Sequence, residues 1–311
     1  MDSTRNSFLA ILLVLAGAAS YGLLAPLFKL AVQDGLGVAG LTCMQVLSGA
    51  ALLWAAVGLG RRRRKAGALA ETWQAWLKLA IIGIAGLSLT TVFYNEALSR
   101  LDASLGIVLL FQFTWITILL ESIRRRQWPS KPELVALLCI AVGTVLAVGL
   151  LEQDLSRADG VGILLGLLSA ITYSLFFFLT GFLPVRLDPM AKSAVMSTAS
   201  FLFVLLLHFP ALAGEGFSIG LFGWGTLLGI VGTAFPFFCF NYGIPRLGGG
   251  MAALLGSMEL PAAIIAAYFL LGEPLTLWQG AGVALILAGI RAAQGKSQQL
   301  VTDGKEGESQ L

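Results

Sequence analysis

Charge is what this 311-residue chain has least of: 12% of its residues are Asp, Glu, Lys or Arg, while 57% are hydrophobic. A soluble domain carries about 25% charged residues and needs them to cover its surface. A soluble globular protein is therefore excluded. Histidine is nearly absent, with His208 the single copy. A Ser-His-Asp triad would have only that one base and has no motif around it. The three cysteines, Cys43, Cys139 and Cys239, lie far apart in apolar stretches, with no CxxC or Cys/His pairing. That rules out a zinc ribbon and gives no sign of a disulfide framework. No GxxxxGK[ST] loop occurs, so the chain does not look like an ATP-driven pump. Any work it does must be driven by gradients or by a partner, and no cofactor is implied.

What the chain has in abundance is long apolar runs and 37 glycines, as is common where helices pack closely in lipid. Crossing the hydrocarbon takes about 20 apolar residues. Charge-free runs predict ten membrane helices, at 8–28, 38–59, 76–98, 103–122, 133–150, 160–183, 190–208, 220–243, 249–271 and 276–292. The first resembles a signal peptide but is too long, contains Pro26 and leads into further spans. After Ala292 the chain turns polar, and 294–311 is expected to be a disordered cytoplasmic tail. The expected fold class is an all-α polytopic membrane protein.

Basic residues keep to the cytoplasmic side of membranes. With the amino terminus inside, 17 of the 20 Lys and Arg fall on the inner side. Only Lys29, Arg100 and Arg157 fall outside, and the outer connection around Glu152, Asp154 and Asp159 is acidic. This bias supports an even helix count with both termini cytoplasmic, in the inner or plasma membrane. The run Arg61–Arg64 with Lys65 invites a nucleic-acid or lipid-headgroup reading. Its place in an inner loop is what plain topology signalling requires, so no nucleic-acid partner is expected.

The sequence also repeats itself. A shift of 152 places Ser20-Tyr21-Gly22 on Thr172-Tyr173-Ser174, Met44 on Met196 and Ser48 on Ser200. After the Arg-rich loop the best shift is 146, matching Asn95 to Asn241, Arg100 to Arg246, Leu101 to Leu247 and Gly143 to Gly289. Two halves follow, 1–150 and 151–293, each with five expected spans. Five is odd, so the second half enters from the opposite side. Inverted repeats of this kind are the architecture of many secondary transporters, which open a midplane site alternately to each side.

Several short stretches carry a family resemblance. They are Tyr94-Asn95-Glu96-Ala97-Leu98, Asn241-Tyr242-Gly243, Met258-Glu259-Leu260-Pro261, Gly272-Glu273-Pro274, and Gly280, Gly282 and Gly289. On these the chain resembles the ten-helix drug/metabolite transporter superfamily, specifically its EamA-type carriers, over residues 8–292. Within it the chain looks most like the YddG-type exporters of aromatic and other amino acids. The first half departs from the pattern: Trp115 stands where the second half has Pro261, and Trp128 where it has Pro274. The resemblance implies export of small metabolites through a cavity built mainly from helices one, three, four, six, eight and nine.

Ionisable groups at bilayer depth are costly. Glu259 lies halfway along the ninth span. It is either a cavity carboxyl that contacts a substrate ammonium or relays a proton, or a structural acid beside the Pro261 bend. Pro26, Pro236 and Pro261 are either gating bends or tolerated kinks. Gly248-Gly249-Gly250 opens the ninth span, where bare amides could cradle a carboxylate, though a tight loop with close helix contact is the favoured reading. Candidate substrate contacts are Tyr21, Tyr94, Asn95, Gln112, Trp115, Tyr173, Phe176, Phe177, Phe235, Phe238, Asn241 and Glu259. Together they suit a planar apolar side chain, with amides holding the amino-acid ends.

The expected function is secondary export of amino acids or similar small metabolites by a monomer in a lipid bilayer. A broad drug or nucleotide-sugar carrier is the rival, disfavoured for phosphate-bearing substrates because no basic residue lies deep in a span. An intramembrane lipid-modifying enzyme would need clustered acids or histidines, and the sequence has none.

Overall fold

The computed structural model describes residues 2–61, 73–101, 103–148, 159–182, 187–212, 218–272 and 276–308. These form helices and short connections, with no strand among the described residues. In chain order the helices are α1 (Asn6–Gln33), α2 (Val38–Leu59), α3 (Trp73–Ala97), α4 (Leu105–Arg125) and α5 (Lys131–Ala147). The second half supplies α6 (Gly160–Phe182), α7 (Pro189–Pro210), α8 (Ile219–Leu247), α9 (Gly249–Leu270) and α10 (Leu277–Glu308). Eight of these are long and apolar enough to cross a membrane, and the apolar part of α10, Leu277–Ala293, is shorter. Large apolar side chains such as Leu138, Leu206, Phe209 and Phe269 face outward, as a lipid-embedded bundle requires.

Two sequence expectations meet the structure differently at the end of the chain and in the loops. The backbone from 294 to 308 continues α10 as helix, where a disordered tail was expected. Ala, Gln, Lys and Leu at 292–300 are good helix formers, so propensity carries the helix past the point where hydropathy ends. Several cited residues lie outside the described residues: Arg62–Arg64 and Lys65, Glu152, Asp154 and Arg157, Arg186, and Glu273-Pro274.

Five of the helices are interrupted in mid-length. The α1 ladder breaks at Leu23, whose amide reaches back only to Ser20 O at 3.1 Å. A π-helical turn spans Gly83–Ser88 in α3 and another Ile230–Ala234 in α8. Helix α4 is broken at Phe111 and Gln112, and α9 at Ser257 and Met258. Proline lacks an N–H and clashes with the carbonyl four residues earlier. Pro26, Pro236 and Pro261 therefore act on residues 22, 232 and 257, each within or beside a break.

In α3 and α4 there is no proline, and side chains do the same work. The Ser88 hydroxyl donates to Gly83 O at 3.2 Å and Thr90 to Gly86 O at 2.5 Å. The Gln112 amide donates to Val108 O at 2.9 Å, and the Thr114 hydroxyl to Phe111 O at 3.0 Å. Val108 O has lost its usual amide, since Gln112 N turns to Leu109 O, and the Gln112 side chain takes its place. The bend at α4 thus exists although Trp115 stands in place of proline.

Breaks and contacts both recur between the halves. Bonds Gln112 N to Leu109 O, Thr114 N to Phe111 O and Ile116 N to Gln112 O have counterparts 146 residues later: Met258 N to Leu255 O, Leu260 N to Ser257 O and Ala262 N to Met258 O. The most extensive helix pairings recur when the halves are exchanged. α1 packs on α8 as α6 packs on α3, α2 on α8 as α7 on α3, and α1 on α9 as α6 on α4. The pairs α2–α7, α4–α9 and α5–α10 join equivalent helices. In the last, a Cβ on Gly282 would lie 2.5 Å from Gly143 O, so only glycine permits this backbone approach.

Candidate functional site

The broken turns of α1 and α9 face each other. A Cβ on Gly22 would fall 2.2 Å from the backbone oxygen of Glu259 and 3.0 Å from Ala262 Cβ. Beside this contact lies a small cleft, partly open to the exterior. Its walls come from α1 (Tyr21, Gly22, Leu24, Ala25, Phe28), the end of α3 (Tyr94, Asn95), the start of α4 (Ile107, Phe111) and α9 (Glu259, Leu260, Ala263). All sit toward the end of the bundle where α1, α3 and α9 finish and α4 begins.

Glu259 is 8% exposed and, among the described residues, enters no ion pair. It stands in the first turn of the second part of α9, where the helix dipole favours a negative group. Tyr21 and Tyr94 line the cleft with it, and Tyr173 lies behind Tyr21. The Tyr173 hydroxyl is buried and faces the Glu259 carboxyl. Tyr21 and Tyr173 stack with ring centres 6.0 Å apart.

Below the cleft the interior is closed by rings. Phe113 lies 4.6 Å from Tyr173 and 5.2 Å from Phe177, and Phe177 lies 5.4 Å from both Phe176 and Phe240. These offset and edge-on pairs are favourable geometries, each contributing about 0.5–1.5 kcal/mol beyond area burial. At the far end the Glu121 carboxylate accepts the Gly250 amide and an Arg125 guanidinium N–H. The Gly248–Gly250 cradle thus holds a carboxylate, and it belongs to this chain. A Cβ on Gly250 would lie 2.5 Å from Glu121 Oε2, so a larger residue would push this carboxylate aside.

Of the residues chosen from sequence, Tyr21, Tyr94, Asn95 and Glu259 line the cleft, and Tyr173 closes its floor. Phe176 and Phe177 are fully buried in the aromatic floor and do not line the cleft. Gln112 is occupied within α4, donating to Val108 O and accepting Trp115 Nε1 at 2.8 Å; Trp115 is 46% exposed. Phe235 also faces outward, and half-buried Phe238 packs by Tyr242. Asn241 is buried, donating to Ser193 Oγ at 3.1 Å and Phe237 O at 3.0 Å. Its repeat partner Asn95 donates likewise from α3 to Thr42 Oγ1 on α2 at 3.0 Å. Sequence reasoning missed Phe28, Ile107 and Phe111, apolar residues among many, with no local signal to set them apart. No group of three or more metal-ligating side chains occurs among the described residues.

Comparison with known proteins agrees with this geometry. The chain is 30% identical over 308 residues to an uncharacterised protein of Pseudomonas aeruginosa, covering 93% of this chain and 96% of that one. It is 27% identical over 215 residues to an uncharacterised transporter of Archaeoglobus fulgidus, covering 68% of this chain and 75% of the relative. It is 26% identical over 191 residues to an uncharacterised transporter of Bacillus subtilis, covering 60% and 61%. A crystal structure at 20% identity superposes with a TM-score of 0.71, covering 94% of this chain and 97% of the other, which establishes a shared fold. The profile of the EamA-like transporter family matches twice, at residues 8–149 and again at 160–293. Two copies of one family profile, laid over two halves whose third and fourth helices break alike, make this multi-pass membrane protein a member of the EamA-like transporter family.

Proposed function

We propose that the protein is a monomeric secondary transporter of the inner or plasma membrane, exporting amino acids or similar small metabolites by alternating access. The observation that carries this reading is Glu259, a carboxyl held at mid-span among Tyr21, Tyr94 and Tyr173 on a cleft that opens to one end. Intramembrane acids are retained at a cost and mark solute pathways. Ten spans, five to each half, give two oppositely inserted bundles, and the exchangeable helix pairing is what such a pair of bundles needs.

With both termini cytoplasmic, as the basic-residue bias favours, the cleft faces outward. The aromatic floor and the Glu121 bond to Gly250 then close the inner end. Because the halves pair alike, the same contacts can be remade with the halves exchanged, opening the inner end and closing the outer. The bends of α1, α4 and α9 at the cleft let each helix pivot there, so Pro26, Pro261 and the Gln112 turn serve as gating points, with Pro236 doing so in α8.

The test is efflux of labelled amino acids from vesicles containing the purified protein, with and without a pH gradient. Saturable efflux above protein-free vesicles supports the reading. Inert vesicles for every amino acid tried would overturn it.

A further inference from the structure

We infer that the cleft selects an organic ammonium lacking a free carboxylate, such as a protonated arylalkylamine or an esterified amino acid, over a zwitterionic amino acid. This narrows the substrate class of the transport reading and rests on it.

The lining groups are unbalanced in one direction. Glu259 is the acid of the cleft, and no Lys, Arg or His stands among the residues lining it. The Asn95 amide gives one N–H to Thr42 Oγ1, and its carbonyl oxygen can accept a donor. Glu259 and Asn95 therefore both ask for donors, which an ammonium supplies three at a time. The buried Tyr173 hydroxyl, short of a partner, can accept from the same group. Tyr21, Tyr94, Phe28 and Phe111 add ring faces, which attract a cation and house an aryl group.

A substrate carboxylate fares differently. Carboxylates are held by Arg, Lys or a helix N-terminus. The restart of α9 is taken by Glu259 itself, so a second anion there would face a like charge. The restart of α1 at Leu24 is the remaining source of backbone amides, which is why the zwitterion is the decisive control.

The experiment compares probes sharing one ring: 2-phenylethylamine, L-phenylalanine methyl ester, L-phenylalanine and 3-phenylpropionate. Binding to the purified protein is measured by calorimetry and flux in vesicles. The amine and ester are expected to bind about tenfold tighter than phenylalanine, the ratio that one charge-assisted bond supplies, with phenylpropionate inert. Glu259→Gln is expected to lose amine binding, and Glu259→Asp to keep part of it. Selectivity among the four probes in the unaltered protein needs no variant and stands even if one fails to fold. Phenylalanine binding as tightly as the amine, amine affinity unchanged in a folded Glu259→Gln, or silence from all four probes would overturn the inference. Saturable phenylalanine flux independent of Glu259 would overturn it while leaving transport intact. Glu259-dependent amine binding without any flux would support the selectivity and sink the transport reading instead.

Discussion

Tyr21 and Tyr173, which the internal repeat places at equivalent positions 152 residues apart, stack on each other at 6.0 Å with their ring planes 26° apart. The two halves thus meet through their own matching residue, directly beside Glu259. Neighbouring contacts repeat the relation: Ser20 Oγ donates to Val231 O in the π turn of α8 at 2.8 Å, and its counterpart Thr172 bonds Thr90, just past the π turn of α3, at 2.8 Å.

This stack separates a role in packing from a role in the cleft. Tyr173→Phe keeps the ring and removes the hydroxyl that faces Glu259. The variant should unfold thermally within about 1 kcal/mol of the parent, since a partnerless hydroxyl contributes little, while substrate affinity falls. Tyr173→Ala should lose about 3–5 kcal/mol as a large core ring is deleted. Thermal unfolding in detergent beside binding of the same preparations distinguishes them.

Gly22→Ala should damage the protein, unlike a replacement at a glycine with open space around it. The new methyl meets the backbone oxygen of Glu259 at 2.2 Å, and neither backbone can yield without moving a helix. A loss of about 1–3 kcal/mol is expected from such overpacking. Gly223→Ala, with nothing within 4 Å of the added carbon, should be neutral or gain up to about 1 kcal/mol. Unfolding midpoints of the two variants check the contrast.

Trp115→Pro should be tolerated although it places proline in the middle of a helix, where about 3 kcal/mol is the usual penalty. The α4 ladder is already broken there with the bonding pattern that accompanies Pro261 in α9. Gln112→Ala removes the side chain that holds Val108 O and should cost about 1 kcal/mol. Trp115→Pro destabilised by the full penalty would show that the two bends differ in kind.

Glu121→Ala should loosen the inner end. It removes the acceptor at the start of α9, and hydrogen exchange of amides 249–256 should quicken by about tenfold, equivalent to about 1.4 kcal/mol. The cleft end of α9 should exchange as before.

Helix positions were legible because hydrocarbon imposes a minimum length on every span, and eight of the expected runs fall on helices long and apolar enough to cross a membrane. The break at Phe111 and Gln112 was not, because an amide side chain that retires a freed carbonyl leaves no mark as visible as proline. Glu259 stood out since a carboxyl in an apolar run always demands an account. Tyr21 and Tyr94 emerged from the repeat and the family resemblance. Phe176 and Phe177 were assigned to the cleft wall but form its floor. A helix apolar on every side does not disclose which face turns inward.

The most direct test is exchange across vesicles holding the purified protein, loaded with unlabelled substrate and supplied with labelled substrate outside. A carrier with one site that faces each side in turn should accumulate label above equilibrium, and Glu259→Gln should abolish this. Label that merely equilibrates, at the same rate in parent and variant, would contradict a single alternating site at Glu259.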